Sequence, residues 1–345
     1  MYSKYFGLKE KPFSIAANPK FLYMSELHRE ALAHLLYGIS SEGCIILLTG
    51  DVGTGKTTLY RSMIEQLPAE TKIAIVLNPQ LGIADIFKTI CDEFSIQISN
   101  GSTSLKSYID SINEFLLDTH ARGQNTAVII DEAQNLDKEV LEHLRLLTNL
   151  ETNTNKLLQI VLVGQPQLKK MLNDPELSQI NQRVTARYHL SPLEQKDVFK
   201  YIEHRLAIAA GGRSAHSLFT PKAVRIIARK SRGIPRLINL LCDRSLLGAY
   251  VENRHQVDHH IVKKAVKEII SPESTRTKIK KKFLVLSVLI LLLSLPLLGG
   301  LYYFGNYRPA FENSRLSDLV NVVRGGSSSQ VTEKIEPEPL PVPSD

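Results

Sequence analysis

Apolar runs alternate with helical segments over residues 43–190 of the chain. The runs at 44–49, 73–77, 127–131, 157–163 and 185–190 are short, continuous and rich in Ile, Val and Leu. That is the pattern of strands buried on both faces. Between them the apolar residues recur at helical spacing over 56–67, 82–95, 104–122, 137–150, 166–172 and 176–182. Strand and helix in alternation predict a parallel sheet with helices on both faces. After Ser191-Pro192-Leu193 the strand signals stop, and 194–211, 221–231, 234–253 and 258–270 all read as helices around a loop at Gly211-Gly212-Arg213-Ser214. A small helical domain, 191–270, is therefore expected to follow the α/β domain, 43–190. Ahead of both, residues 1–42 read as loops with apolar anchors at Pro12-Phe13, Asn18-Pro19 and Phe21-Leu22-Tyr23. One helix follows them over 26–39, with Leu27, Ala31, Leu35 and Leu36 on one face.

The pattern changes again near the end. Residues 283–304 are 22 consecutive uncharged, mostly apolar positions. As a helix they would extend about 33 Å, enough to cross the hydrocarbon core of a bilayer. Lys278, Lys280, Lys281 and Lys282 precede this segment, and Arg308 stands nearly alone after it. Positive charge stays on the cytoplasmic side, so residues 1–282 are expected in the cytoplasm, with 271–282 as a basic juxtamembrane linker and 305–345 as a tail across the membrane. Tyr302, Tyr303 and Phe304 would anchor the far interface. The tail carries Gly325-Gly326-Ser327-Ser328-Ser329 and a Glu-Pro alternation, a composition that cannot bury a core and reads as disordered or extended. The N-terminus, Met1-Tyr2-Ser3-Lys4-Tyr5, has no apolar stretch of the kind a cleaved signal needs.

Composition adds two points. At 345 residues the chain is long enough for two or three units. Residues 225–282 hold 15 Lys/Arg against 5 Asp/Glu, so the excess positive charge is local. Such a surface suits nucleic acid, anionic lipid or phosphates. Cys44, Cys91 and Cys242 are far apart with no C-x-x-C spacing, and read as buried reduced thiols.

Candidate chemistry is concentrated at the ends of the predicted strands. Gly50-Asp51-Val52-Gly53-Thr54-Gly55-Lys56-Thr57 fits G-x-x-x-x-G-K-[ST] between a strand and the helix that opens with Thr58. In this context glycines let backbone N–H groups turn inward around phosphates, and the helix N-terminus adds its positive dipole end. Lys56 would reach the β- and γ-phosphates, and the Thr57 hydroxyl would ligate Mg²⁺. The run Ala127-Val128-Ile129-Ile130 ends in Asp131-Glu132. Asp131 would complete the Mg²⁺ site, and Glu132 would orient and polarise the attacking water. Gln165 ends the next apolar strand and is placed to sense the water or the γ-phosphate. Arg183, with Arg187 as second choice, is a candidate finger supplied in trans to a neighbour's γ-phosphate. Arg236, in the sharp helix start Gly233-Ile234-Pro235-Arg236, is placed to report nucleotide state to the helical domain.

This order of motifs resembles the AAA+ ATPases over residues 40–270. The resemblance implies a P-loop parallel-sheet domain, a C-terminal helical lid, ATP and Mg²⁺ as cofactors, ATP hydrolysis, and a homo-oligomer joined through Arg183 in trans. A narrower likeness lies in Tyr5-Phe6-Gly7-Leu8, Pro12-Phe13, Asn18-Pro19, Phe21-Leu22-Tyr23, His28-Arg29-Glu30-Ala31-Leu32, Gly164-Gln165-Pro166 and Leu237-Ile238-Asn239-Leu240-Leu241-Cys242-Asp243. These resemble the general secretion pathway protein A family and its relative in biogenesis of the mannose-sensitive-haemagglutinin pilus. That resemblance implies a single-pass inner-membrane ATPase of type II secretion, working with a B-type membrane protein to help the secretin assemble in the peptidoglycan layer. The family's secretion member continues into a periplasmic peptidoglycan-binding domain, which is not visible in 305–345. Either the chain is truncated or a partner makes that contact. A pilus-biogenesis ATPase has the same chemistry and a different client. A DNA-associated AAA+ regulator is disfavoured, because four of the lysines flank the apolar span and no recognition helix with its turn is evident.

Overall fold

The computed structural model describes residues 2–270, except 41–43, 78, 80, 81, 99–103, 153–155 and 213–217, together with Pro296. The predicted juxtamembrane linker, membrane span and tail lie outside the described residues. Among the described residues no helix is long and apolar enough to cross a membrane. The described residues up to Ile270 belong to one compact unit.

Five strands form one parallel sheet: β1 (Ile45–Gly50), β2 (Lys72–Val76), β3 (Thr126–Ile130), β4 (Gln159–Gly164) and β5 (Val184–Leu190), in the order β2-β3-β4-β1-β5. β1, β3 and β4 are buried at every position, as expected of central strands covered on both faces. Of the edge strands, β2 is buried at Ala74 and Val76, and β5 only at its ends, Val184 and Leu190. Alternate side chains of β1 enter opposite layers: Ile45 and Leu47 join one core cluster, Ile46 and Leu48 another.

The first of those layers is built by α4 (Ile83–Glu93), α5 (Leu105–Ala121), α6 (Lys138–Leu147), α7 (Pro166–Leu172) and α8 (Ser178–Gln182), which contribute Phe87, Leu116, Leu144, Leu168 and Ile180. The second is built by α2 (Glu26–Ser40) and α3 (Lys56–Ile64), through Leu35, Leu59, Tyr60 and Met63. The three cysteines are buried and form no disulfide.

The lid comprises α9 (Gln195–Ala209), α10 (Pro221–Ser231), α11 (Pro235–Val251) and α12 (His259–Ile270). Its core includes residues from the extreme N-terminus, which the periodicity of the chain did not predict. Tyr2, in the short helix α1 (Tyr2–Tyr5), and Leu8, Phe13 and Phe21 are buried among Val198, Leu206, Ile227 and Ile238. Burying a ring such as Phe13 stabilises by about 2–3 kcal/mol. The polar counterpart is Arg205, whose buried guanidinium donates to Pro12 O at 2.7 Å, to Ser14 O at 3.2 Å and to the Tyr201 hydroxyl at 2.7 Å. Residues 1–25 are thus a strap over the lid, held by apolar anchors and one satisfied buried cation. Several helices stop short of their predicted limits. α3 ends at Ile64, and 176–182 divides into a 3-10 turn, Pro175–Leu177, and α8.

Candidate functional site

Parallel pairing brings the C-terminal ends of β1, β3 and β4 to one edge of the sheet, with Thr49 opposite Gly164 and Ile130 opposite Leu162. The loop after β1 is shaped by Gly53 at φ 82° and Gly55 at φ 105°, left-handed conformations that favour glycine. A Cβ on Gly53 would also meet Arg236 Cβ at 2.6 Å. Lys56 begins α3 with its ammonium folded onto the carbonyls of Gly50, at 2.8 Å, and Asp51, at 3.1 Å. Burial lowers the Lys56 pKa, while Glu132, Asp131 and Asp51 pull it back up. Thr54 is buried and donates to Asp51 O at 2.9 Å, closing the turn.

The loop rests on a residue that sequence reasoning used only as part of a family likeness. His28, on α2, is buried beneath it, its Nε2 3.5 Å from where a Gly55 Cβ would stand. Nδ1 pairs with Ser25 Oγ at 2.7 Å, and the ring also bonds the Thr54 backbone. Burial is the main cause of its lowered pKa, against the opposing effects of Thr54 and Asp197.

Asp131 is buried at the end of β3 and its carboxylate accepts from three donors. Oδ2 accepts from Thr57 Oγ1 at 3.0 Å and from the Tyr60 hydroxyl at 3.2 Å, and Oδ1 from Glu132 N at 2.9 Å. Burial and the adjacent carboxylate push the Tyr60 phenol well above its ordinary pKa, so it stays a donor. Glu132 takes a left-handed conformation, φ 51° and ψ 37°, which turns its side chain away from the strand direction. Two amides hold that carboxylate: Gln134 Nε2 at 2.7 Å and Gln165 Nε2 at 3.3 Å from Oε2. Gln134 Oε1 accepts from Gln165 N at 2.9 Å, so one side chain joins the end of β4 to Glu132. Tyr60 and Gln134 carry no motif signature. Their helical or post-strand spacing reads as packing until the fold places them beside the two acids.

A cleft of about 300 Å³ opens against the loop, lined by Val52, Gly53, Lys56, Thr57, Thr58 and Glu132 on the sheet side. Ile15–Ala17 of the strap and Tyr201, Arg205, Pro235, Arg236 and Asn239 of the lid complete it. Arg236 N donates to Gly53 O at 3.2 Å. The candidate nucleotide loop, Asp131, Glu132, Gln165 and Arg236 are therefore gathered at one place. Arg183 and Arg187 are not. Arg183 adjoins Val184, which pairs with Ile45 at the opposite end of β1. Its guanidinium donates to Thr148 O and Oγ1 at 3.3 Å, and Arg187 is held by Asn181 O and Oδ1 at 2.8 Å.

The donor set suits a nucleoside triphosphate with Mg²⁺. Hard oxygens at Thr57 and Asp131 are one hydroxyl and one carboxylate, which fits an ion that keeps waters and takes phosphate oxygens for its remaining positions. Among the described residues no group of three or more His, Cys, Asp or Glu able to hold a metal occurs.

A parallel five-stranded sheet with a phosphate loop, an Asp-Glu strand end and a helical lid defines a P-loop nucleotide-binding ATPase domain, and the AAA domain family matches residues 39–172. Within that class the chain is similar to general secretion pathway protein A. It is 51% identical to general secretion pathway protein A of Aeromonas hydrophila over 269 residues, 78% of this chain and 48% of that protein. The chain thus spans about half the length of the curated relative it matches. The fold is shared with the Aeropyrum pernix ORC2 protein, at TM-score 0.57 and 19% identity over 75% of this chain and 72% of that one. It is shared too with the structure of Drosophila ORC bound to DNA, at TM-score 0.61 and 18% identity over 80% of this chain and 68% of that one.

Proposed function

We propose that this chain is a membrane-anchored ATPase that hydrolyses ATP to support assembly of the type II secretion machinery. The observation that carries the reading is the convergence of Lys56, Thr57, Asp131 and a doubly restrained Glu132 on one cleft, in a chain 51% identical to a secretion pathway protein A. The loop N–H groups and Lys56 would hold the phosphates, and Thr57 and Asp131 the Mg²⁺. Mg²⁺ in such a site neutralises phosphate charge. Glu132 Oε1 carries no bond to Gln134 or Gln165, and is the oxygen free to orient a water and accept its proton. Arg236 couples the lid to the phosphate loop through Gly53, and Arg183, remote from its own cleft, would serve a neighbour's. Segment 283–304 would anchor the chain in the inner membrane with 1–282 cytoplasmic and 305–345 periplasmic. A B-type membrane protein would be the direct partner and the secretin the client.

The test compares cells carrying the intact chain with cells carrying Lys56→Ala, following the SDS-resistant secretin multimer by immunoblot. Collapse of the multimer to monomer in the variant is expected. An unchanged multimer, with the variant present at normal level in the membrane, removes the secretion reading and moves a pilus client ahead.

A further inference from the structure

The lid carries a one-sided distribution of charge that nucleotide chemistry does not use. α10 buries Ala223, Val224, Ile227, Ala228 and Ser231 and exposes Lys222, Arg225, Arg229 and Lys230 along the remaining arc, with Arg232 just beyond it. None of these five pairs with a described carboxylate. The seam between α11 and α12 is the opposite case: Arg244 pairs with Glu268, Lys264 with Glu252 at 2.6 Å and Arg254 with Asp258 at 2.7 Å. The acids of this part of the lid are thus consumed at one edge, and the cations at the other are left unpaired.

The unpaired edge continues onto α12. Phe219 and Val257 form a parallel bridge, so α10 and α12 start side by side. Burial, His260 and Lys263 lower the His259 pKa, and Lys222 adds to this across the junction, against Asp258. Lys263 and Lys267 are exposed and unpaired among the described residues, and Ile270 ends the helix 43% exposed. From Ile270 the chain enters 271–282, with Arg276, Lys278, Lys280, Lys281, Lys282 and a single acid, Glu273, and then the uncharged 283–304. Twelve extended residues reach at most about 40 Å, so the anchor would hold this face at high effective concentration beside the bilayer.

We propose that the exposed face of α10, with Lys263 and Lys267 of α12, is a docking surface for the anionic cytoplasmic leaflet of the membrane that anchors segment 283–304. This rests on the membrane-anchored reading above. Docking would set the height and tilt of the lid over the membrane, and Arg236, the second residue of the helix that follows α10, would link that posture to the phosphate loop.

The full chain is reconstituted in vesicles of phosphatidylcholine alone or with phosphatidylglycerol, and alkaline flotation scores insertion. A dye on Ile226→Cys, attached selectively because Cys44, Cys91 and Cys242 are buried, reports energy transfer to a headgroup acceptor. Transfer is expected to rise with phosphatidylglycerol and to fall in high salt. In K222Q/R225Q/R229Q/K230Q, with nucleotide binding retained, the docked-to-free ratio is expected to drop at least about tenfold, since each Lys or Arg near the surface contributes severalfold. Equal transfer in neutral and anionic vesicles, or no change in the quadruple variant, overturns the docking surface while insertion still stands. Failure to float with neutral vesicles overturns the anchored reading and the proposal with it. If the variant loses salt-sensitive binding to duplex DNA but keeps its transfer to lipid, nucleic acid is the partner and the lipid assignment falls.

Discussion

Tyr60 and His28 carry the clearest consequences at the scale of single residues. Tyr60 does not reach the cleft. It acts through Asp131, holding Oδ2 from one side while Thr57 holds it from the other. Tyr60→Phe keeps the ring in its core site and removes one charge-assisted bond, so the fold survives. The Mg²⁺ concentration that half-saturates hydrolysis is expected to rise about tenfold, in line with the loss of a group that orients a metal ligand. Binding of ATP in the presence of EDTA should be unchanged, and an unaltered Mg²⁺ titration would reduce Tyr60 to a packing residue. His28 predicts a pH effect. Its pKa is lowered in the folded chain, so the unfolded chain binds more protons there once pH falls to the ordinary imidazole range. Its contribution is full above that range and is lost as pH falls through it. Between about pH 7 and pH 5 the melting temperature should fall, and His28→Gln should make the fall shallower. Some slope should remain, because burial also lowers His204.

At the scale of elements, the turn between α10 and α11 is the most constrained joint. Arg232 and Gly233 both have positive φ, and Pro235 fixes the first turn of α11. A Cβ at Gly233 would collide with the backbone carbonyl of Leu193, where the lid leaves β5. Gly233 N–H and C=O are also spoken for, by Ser231 Oγ at 3.3 Å and Leu193 N at 2.9 Å. Gly233→Ala should therefore destabilise by about 2–3 kcal/mol or more and, because this turn delivers Arg236 to Gly53, lower turnover as well. Chemical denaturation and steady-state hydrolysis measure the two effects. Unchanged values of both would mean the joint is not rigid. The five strands were legible to within two residues because continuous Ile/Val/Leu runs have few other uses. The helix ends were less so, since fraying and 3-10 turns depend on what each terminus meets in space.

At the scale of the whole molecule, Arg183 has meaning only in an assembly. In its own chain it bonds Thr148 at the end of β5 remote from the cleft. If it completes a neighbour's site, Arg183→Ala should lower turnover about a thousandfold. Thr148→Val, which removes only the hydroxyl contact, should have little effect. Mixing Arg183→Ala chains with Lys56→Ala chains should then restore measurable hydrolysis, since each supplies what the other lacks. Absence of any recovery, with mixed oligomers formed, would place the arginine in a purely structural role. The strap of residues 1–25 belongs to this scale too. Read along the chain it is a set of loops with apolar anchors. Its partners are Arg205, Ile227 and Ile238, roughly 180–230 positions away, and no local pattern encodes contacts that distant.

The α/β class, the strands, the phosphate loop and the acids at the end of β3 follow from local residue pattern alone, because backbone sterics, strand burial and phosphate binding each impose strict local residue choices. It takes the folded chain to show that Tyr60 and Gln134 restrain Asp131 and Glu132, that His28 underpins the loop, that the N-terminus completes the lid and the cleft, and that the lid's cations gather on one edge. These depend on which side chains the fold brings together across long stretches of chain. Tyr, Gln and His in a helix or turn have many ordinary uses, and only their neighbours in space select among them.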